Sequence, residues 1–336
     1  MPSDRILAIE TSCDETAAAV VAPDFTVLSS VVRSQIESHR AFGGVVPEIA
    51  SREHVRFVLP IVDEAMRGSG SSPADLAAIA VTQGPGLIGC LAVGLSTAKA
   101  LSLAWAKPLV GVNHLEGHFF SAELEAEPIQ YPAVVLLVSG GHTMLVHARA
   151  RGVYRVLGQT RDDSVGEAYD KVARELGLGY PGGPVVDRLA REGRDRYDLP
   201  RPMLREGLDF SFSGLKTAVR RLLAERPYEV ADVAASFAAA CTDVLAGKLV
   251  RAIEEWQPRS AVVVGGVAAS PIIRARLQVD VPPTGARLLL PPTKYATDNA
   301  AMIGAAGWWQ LEHAGPSDAG MGPKPDLRLL EAATAA

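Results

Sequence analysis

The two halves of this 336-residue chain show the same order of predicted strands and helices. Each half begins with three short apolar segments whose composition is typical of strands. These segments cover residues 6–12, 17–22 and 26–32 in the first half, and 133–138, 144–148 and 154–159 in the second. Patterns of helix, strand, helix, strand and helix then follow in both halves. Such a repeat predicts an α/β protein built from two lobes of one topology, with a cleft between them.

Each predicted lobe has the element order of a ribonuclease-H-like domain. The repeat places the first lobe at residues 1–131 and the second at 132–296, with a largely helical insertion at 181–257. Residues 297–336 begin with a helix that the repeat counts as the last helix of the second half. We expect this segment to pack back on the first lobe.

Composition limits the classes of function. A hydrophobic fraction of 48% with 21% charged residues is that of a globular protein. The net charge of −5 argues against a chain that coats nucleic acid along its whole surface, although a local basic patch remains compatible with it. Cys13, Cys90 and Cys241 are far apart and lack CxxC spacing, which favours a reducing compartment over a disulfide framework.

The sequence predicts neither a signal peptide nor a membrane span. Residues 1–11 lack the charged start and apolar core of a secretion signal. The stretch Leu76–Ala98 carries no charged residue, but Gln83-Gly84-Pro85-Gly86 interrupts it, whereas a membrane span needs about 20 uninterrupted apolar residues. The expected protein is soluble and cytoplasmic.

Two histidines four residues apart, His114 and His118, are the clearest candidate ligands for a metal ion. On a helix this spacing places both imidazoles on one face. An apolar run at 107–112 precedes them and predicts a strand, so the pair lies where ligands bind in open α/β sheets. Exposed or capping histidines show the same spacing, so a third ligand is needed to decide between the two interpretations.

Asp298 is the candidate third ligand, because it opens the last predicted helix of the second half as the histidines open that of the first. A pseudo-twofold axis between the lobes would direct both helix starts to one cleft. Thr297 and Asp298 are equally compatible with a helix N-cap. The zinc-peptidase motif HExxH is not formed, since Glu116 is central and faces the opposite side of the helix from the histidines.

Three turns that follow predicted strands are rich in glycine or hydroxyl residues, at 11–16, 139–143 and 265–270. Glycine lets backbone N–H groups approach phosphate oxygens without a side chain between them. Asp170 and Asp187 suit ribose hydroxyls, as acidic residues do in dinucleotide folds. Each feature also has a purely structural explanation, as a tight connection or a surface aspartate. The sequence contains no Walker loop and no GxGxxG motif.

Several longer motifs give the chain a resemblance to one family. They are 10–16 (ETSCDET), 43–48 (GGVVPE), 84–87 (GPGL), 113–118 (NHLEGH), 138–143 (VSGGHT), 180–184 (YPGGP), 211–217 (SFSGLKT) and 297–300 (TDNA). From Ile6 to the region of Trp308, the chain resembles the bacterial tRNA N6-adenosine threonylcarbamoyltransferases of the TsaD type. That family belongs to the actin-like ATPase superfamily, whose fold the duplicated lobes match.

The resemblance implies transfer of a threonylcarbamoyl group from threonylcarbamoyl-AMP to N6 of adenosine 37, with release of AMP, in tRNAs that read codons beginning with adenine. It implies one metal ion held by His114, His118 and Asp298, with Fe²⁺ expected and Zn²⁺ as the alternative. The residues implied to bind the adenylate are Leu137, Val138, Ser139, Gly140, Gly141, Asp170, Gly183, Asp187 and Ser270. The family usually has asparagine where this chain has Ser270, so this chain lacks one amide donor there.

The implied reaction agrees with the residue types. An adenine amine is a poor nucleophile, so the carbonyl must be polarised and the AMP leaving group neutralised. A metal ion in a mixed histidine and carboxylate site can bind phosphate oxygens and orient the anhydride. Asp14, on the first turn, is the expected general base or amine-positioning residue, and Glu15 is the second choice.

The family also implies partners: a paralogue of similar fold that forms a heterodimer, a small ATPase, and a separate synthase that supplies the intermediate. For tRNA we expect a local basic surface, because an acidic chain must concentrate its cations to hold phosphates. One part of that surface is the segment Arg33–Arg56. The other part is Arg201, Arg205, Lys216, Arg220 and Arg221.

Three other classes of protein remain open from the residues alone. A kinase or ATPase of the same superfamily needs acidic magnesium ligands and would not need the histidine pair. A metallopeptidase needs the HExxH base, which the sequence lacks. A non-catalytic scaffold paralogue would be expected to lack the metal ligands, and here all three are present.

Overall fold

The computed structural model describes residues 4–225 and 227–329. The described chain forms two compact units. The first contains the residues up to Pro128 together with Pro291–Leu329, and the second contains Ile129–Leu290. The boundaries predicted from the sequence, at 131/132 and 296/297, lie a few residues later along the chain.

Each unit contains a five-stranded mixed sheet. The strands are β1 (Arg5–Glu10), β2 (Glu15–Val21), β3 (Val27–Ser34), β4 (Leu76–Gly84), β5 (Leu109–Asn113), β6 (Ala133–Val138), β7 (Thr143–Ala150), β8 (Val153–Gln159), β9 (Ser260–Val264) and β10 (Arg287–Leu289). The first sheet has the order β3-β2-β1-β4-β5 and the second the order β8-β7-β6-β9-β10. In both, the first three strands pair antiparallel and the last two join in parallel. The predicted duplication of one α/β topology is confirmed.

Ten α-helices accompany these strands in the part of the chain that is described. They are α1 (Ile36–Arg40), α2 (Pro47–Gly68), α3 (Ile88–Trp105), α4 (His114–Ser121), α5 (Val165–Glu175), α6 (Gly182–Ala190), α7 (Ser213–Glu225), α8 (Val230–Trp256), α9 (Pro271–Asp280) and α10 (Ala300–Ala314). The sequence has a helical pattern over residues 35–66 that residues 43–47 (GGVVP) interrupt, and the structure forms two helices there, α1 and α2. Pro47 is the first residue of α2, a position at which the backbone N–H has no partner within the helix.

Residues 6–9 of strand β1 are apolar because helices cover both faces of the first sheet. Ile6 and Ala8 pack against α10, whereas Leu7 and Ile9 face α2 and α3. Helix α10 is rich in alanine and glycine, which lets its backbone approach the sheet closely, and the indole nitrogen of Trp308 donates to the carbonyl oxygen of Val21 at 2.9 Å. The C-terminal helix is therefore part of the first unit, and the residues just before it are fixed there.

Helices α3 and α8 each have the length and apolar composition of a membrane span. Most of α8 is buried in the core of the second unit, as expected for a core helix of a globular domain. Helix α3 is less buried and packs with one side against β4 and α2. Two such helices are weak evidence for a membrane, because buried core helices meet the same criteria.

Candidate metal and adenylate sites

Helix α4 begins directly at the carboxyl end of β5 and presents the two candidate histidines. Asn113 caps it, since its Oδ1 accepts from the backbone N–H of Leu115 at 2.9 Å. His114 and His118 are buried, and their ring centroids lie 4.8 Å apart with the rings nearly perpendicular. The helical spacing predicted from the sequence therefore brings the two imidazoles together.

Asp298 lies beside both histidines. Its Oδ1 is 3.2 Å from Nε2 of His118 and 3.6 Å from Nε2 of His114. The N-cap of α10 is Asn299, whose Oδ1 accepts from the backbone N–H of Met302 at 3.0 Å, so the alternative that Asp298 caps this helix is wrong. All three candidate ligands lie in the first unit, whereas the repeat counted the helix after Asp298 with the second half.

The three side chains fit a divalent cation. Their candidate ligand atoms all lie within 4.8 Å of one another. Two ligands about 2.1 Å from a tetrahedral ion are separated by about 3.4 Å, close to the distances that join Asp298 to the histidines. His118 is wholly buried, and neither ring nitrogen forms a hydrogen bond with the described residues, although Nε2 lies 3.2 Å from Oδ1 of Asp298. An orphaned buried imidazole is expected where a metal ion completes its interactions.

Glu10 orients the first of these histidines, and the sequence interpretation missed it. Its carboxylate is fully buried and accepts from the backbone N–H of Ser12, from Oγ1 of Thr82 at 2.5 Å and from Nδ1 of His114 at 3.0 Å. With the proton of the imidazole on Nδ1, the lone pair of Nε2 faces Asp298. Metal-binding histidines commonly donate to a carboxylate in this way. A glutamate that ends an otherwise apolar strand was the available signal.

Charge interactions support this arrangement. Burial raises the pKa of Glu10, but the neighbouring His114 outweighs burial and holds that pKa below its usual value. Burial lowers the pKa of His114, and the carboxylates of Glu10 and Asp298 overcome it and raise that pKa to about 9. The pocket thus favours a positive charge beside His114, which a metal ion would supply in place of the proton.

The candidate catalytic carboxylates lie near the same group. Asp14 is in the turn after β1, and Glu15 begins β2, where Ser34 Oγ donates to Glu15 Oε1 at 3.3 Å. Burial, followed by the charges of Asp14 and Asp298, raises the pKa of Glu15 well above its ordinary value. Glu15 therefore lies within the electrostatic influence of Asp298, and Asp14 is its neighbour in the chain.

In the second unit, the turn after β6 has an open face. Ser139 N–H donates to the carbonyl oxygen of His142 at 2.8 Å, and Ser164 Oγ donates to that of Gly140 at 2.5 Å. A side chain added at Gly140 or Gly141 would meet no atom within 4 Å, so this backbone is accessible to a ligand. The predicted residues Leu137 and Val138 precede the turn, and because their side chains are wholly buried they offer main-chain groups only.

Helix α6 carries two more of the implied adenylate residues. Gly183 is open, since a Cβ there would meet no atom within 4 Å. Asp187, one turn later, is buried, and its Oδ1 has no hydrogen-bond partner among the described residues. Burial raises the pKa of Asp187, while the nearby hydroxyls of Ser270 and Tyr169 oppose that rise. The structure thus places Ser270 beside Asp187. A ligand hydroxyl that donated to Oδ1 of Asp187 would give this oxygen a hydrogen-bond partner.

Asp170 and Ser270, also implied to bind the adenylate, have structural roles as well. Asp170 accepts from the backbone N–H of Gly182 at 2.7 Å, so one of its oxygens holds the start of α6. Ser270 is the N-cap of α9. Gly265, which ends β9 with φ of +95°, is required because a Cβ there would lie 2.4 Å from the carbonyl oxygen of Val138. This close approach places the turn after β9 beside the end of β6.

Comparison with known proteins shows the family to which the chain belongs. The family model of tRNA N6-adenosine threonylcarbamoyltransferase (TsaD) matches residues 26–305, well over half of the chain. A relative of that description from Geobacillus kaustophilus is 52% identical over 334 residues, covering 97% of each chain. The one from Bacillus subtilis is 49% identical over 331 residues, covering 96% of this chain and 95% of the relative. The chain belongs to the tRNA N6-adenosine threonylcarbamoyltransferase family.

Membership of this family identifies the chain as an acyltransferase that acts on tRNA. Among solved structures, component A of the (R)-2-hydroxyglutaryl-CoA dehydratase of Acidaminococcus fermentans has a similar fold. It is 12% identical, with a TM-score of 0.57, and the match covers 92% of this chain and all of that one. This likeness concerns the fold alone and agrees with the two-lobed α/β architecture predicted from the repeat. Because the chain belongs to this family, it is a transferase, and the kinase, metallopeptidase and scaffold alternatives are rejected.

The cations predicted to contact tRNA lie in both units. In the first, Arg52 is exposed, and the guanidinium of Arg33 lies 3.6 Å from the centroid of the Phe57 ring. In the second, Arg205 is exposed, whereas Arg201 forms an ion pair with Asp243 at 3.0 Å. Arg221 likewise pairs with Glu225 at 2.7 Å. Arg52 and Arg205 are therefore the clearest positions at which to test a phosphate-binding surface.

Proposed function

We propose that this protein transfers the threonylcarbamoyl group from threonylcarbamoyl-AMP to N6 of adenosine 37 in tRNAs that read codons beginning with adenine, and releases AMP. The observation that carries the proposal is the group formed by the buried His114 and His118 and the half-buried Asp298, in a chain of this family. The second unit adds open backbone at Gly140, Gly141 and Gly183, as an adenylate site requires. We place the reaction in the cytoplasm.

His114, His118 and Asp298 would hold one divalent cation, with Fe²⁺ expected and Zn²⁺ as the alternative. Such an ion, when bound, polarises an acyl carbonyl and neutralises phosphate charge. Glu10 fixes the tautomer of His114 through the 3.0 Å contact to Nδ1, so Nε2 is available as a ligand atom. The two histidines and one carboxylate leave further coordination positions open to a substrate.

Asp14 is the proposed acceptor of the proton that the adenine amine loses during acyl transfer. A carboxylate next to the reacting amine also orients its lone pair toward the carbonyl carbon. Glu15 is the second choice, because burial raises its pKa and so makes its carboxylate a stronger proton acceptor. In the second unit, Asp187 would accept from a ribose hydroxyl, and the turn at Ser139–Gly141 would receive the phosphate.

We also propose a protein partner of similar fold on the exposed side of α2 and α3. Val55 and Leu59 on α2 are 66% and 57% exposed, and Leu103 on α3 is 86% exposed. Exposed apolar residues on two packed helices are typical of a protein interface. The small ATPase and the synthase that supplies the intermediate are implied by the family.

The test is a transfer assay with purified components. The chain, the paralogue, the ATPase, tRNA and labelled threonylcarbamoyl-AMP are combined, and each is omitted in turn. The proposal predicts label in tRNA that depends on this chain and on adenosine 37, with one AMP released for each group transferred. Label in a tRNA that carries guanosine at position 37, or transfer without this chain, would contradict it.

A further inference from the structure

Four buried polar side chains lie behind the turn that carries Asp14, and none of them belongs to the sites described above. They are Thr16 on β2, Gln35 before α1, His39 on α1 and His54 on α2. Their exposed fractions are 0% for Thr16, His39 and His54 and 3% for Gln35. Buried polar groups are costly unless each donor and acceptor is satisfied, so their partners define what the group does.

His54 holds the turn from its inner side. Its Nε2 lies 2.9 Å from the carbonyl oxygen of Cys13, and since a carbonyl can only accept, Nε2 carries the proton. Nδ1 of the neutral ring is therefore an acceptor, and the hydroxyl of Thr16, 2.8 Å away, donates to it. The hydrogen bonds thus select one tautomer of a neutral histidine.

His39 repeats this arrangement at the other end of the group. The backbone N–H of Val46 donates to its Nδ1 at 3.3 Å, so Nε2 carries the proton and donates to Oε1 of Gln35 at 3.3 Å. The amide nitrogen of Gln35 then donates toward Thr16 Oγ1 at 3.4 Å, and its backbone N–H donates to the carbonyl oxygen of Asp14 at 2.9 Å. Hydrogen bonds connect Val46 to the turn without interruption.

We propose that Thr16, Gln35, His39 and His54 act as one positioning unit for the turn that carries Asp14, and that they tie its conformation to the segment Gly43–Val46. The inference rests on the proposed catalytic role of Asp14. Two consecutive carbonyl groups of the turn, those of Cys13 and Asp14, are each held by one member of the unit. Directed hydrogen bonds fix the orientations of these carbonyl groups, which apolar side chains of the same shape could not do.

Thr16 offers a matched pair of variants. Thr16→Val keeps the shape but removes the hydroxyl that lies nearest to Nδ1 of His54, at 2.8 Å against 3.3 Å for the amide nitrogen of Gln35, and Thr16→Ser keeps that hydroxyl. A displacement of about 1 Å at a reacting group lowers rates by about 100-fold, so we expect Thr16→Val to lower kcat about 10- to 100-fold. The KM for tRNA and the metal content should stay at the parent values, and Thr16→Ser should restore most of kcat. Thr97→Val is the control, because the hydroxyl of Thr97 donates to the carbonyl oxygen of Val93 within α3.

A double-mutant cycle separates positioning from general stability. Thr16→Val and His39→Leu belong to one hydrogen-bonded unit, so their effects on kcat should be less than additive. Full additivity, or a loss of kcat that follows only the fraction of unfolded protein in a thermal scan, would overturn the proposal. So would a parent-like kcat in Thr16→Val. Asp14→Asn tests the underlying assignment: a parent rate in that variant would remove the catalytic role of Asp14, whatever the Thr16 variants show.

Discussion

Glu10→Gln tests whether a buried carboxylate sets the affinity of the metal site. In the structure, Oε1 of Glu10 accepts from the N–H of Ser12, and Oε2 accepts from both Thr82 and His114. Glutamine has one acceptor oxygen and one donor nitrogen. If the oxygen faces Ser12, the amide NH₂ faces Nδ1 of His114, and the proton of that ring is driven to Nε2, the atom that faces Asp298. If the oxygen faces His114, the NH₂ opposes the N–H of Ser12.

Either orientation loses at least one hydrogen bond and the negative charge beside His114. Removal of such an orienting carboxylate lowers metal affinity about 10- to 100-fold, which corresponds to about 1.4–2.7 kcal/mol. The assay is calorimetric titration of metal-free protein with Zn²⁺, used as a probe that does not oxidise. Thr82→Val is the matched control, since it removes a donor to the same oxygen but leaves the contact between Glu10 and His114. It should change the affinity much less.

Circular dichroism must show that Glu10→Gln is folded at the titration temperature. An affinity equal to that of the parent in a folded Glu10→Gln protein would refute the reasoning, because His114 would then need no carboxylate to present Nε2. An equal loss in Thr82→Val would also refute it, since the effect would follow from repacking at the end of β1.

Three further predictions concern other parts of the chain. Ser270→Asn keeps an N-cap and adds an amide donor, so it should tighten AMP binding by about 0.5–1.5 kcal/mol; unchanged calorimetric affinity would show that serine already satisfies the site. Charge reversal at Arg52 or Arg205 should weaken tRNA binding and leave AMP binding intact. If neither substitution and no change in salt concentration alters the affinity for tRNA, this surface does not bind tRNA. Burial lowers the pKa of His54 from 6.5, so the stability that the neutral ring contributes is full above pH 6.5 and is lost as pH falls below it. His54→Gln should reduce this acid sensitivity in thermal unfolding, and equal sensitivity in both proteins would contradict the assignment.

Local patterns in the sequence were sufficient for the features that depend on neighbouring residues. The spacing of His114 and His118 on one helix needs only the period of 3.6 residues, and the structure brings the two rings together as that period requires. The duplicated sheet follows from the repeated order of apolar segments. The motif around Ser139–Gly141 likewise predicts a turn, because each residue in it is a turn former.

Features that depend on distant pairing could not be obtained in this way. Glu10 contacts His114 because β1 and β5 lie on either side of β4 in the sheet. The sequences of these strands do not by themselves determine the order of the strands in the sheet. Asn299 caps α10 instead of Asp298, a shift of one residue that composition does not resolve when both residues are good caps. Helix α10 lies in the first unit, where its small residues fit the face of β1 and β2; the repeat counted this helix with the second half, although we expected residues 297–336 to pack on the first lobe.

The most direct test of the account is the metal content and transfer activity of Asp298→Ala, measured on the same preparation. The account predicts that metal and transfer are lost together, because two histidines alone hold an ion poorly. The fold should survive, since α10 keeps its Asn299 cap and its packing on the first sheet. Full metal occupancy with transfer abolished would contradict the account, because Asp298 would then be a catalytic residue and not a ligand. Full transfer by metal-free Asp298→Ala would contradict the metal site itself.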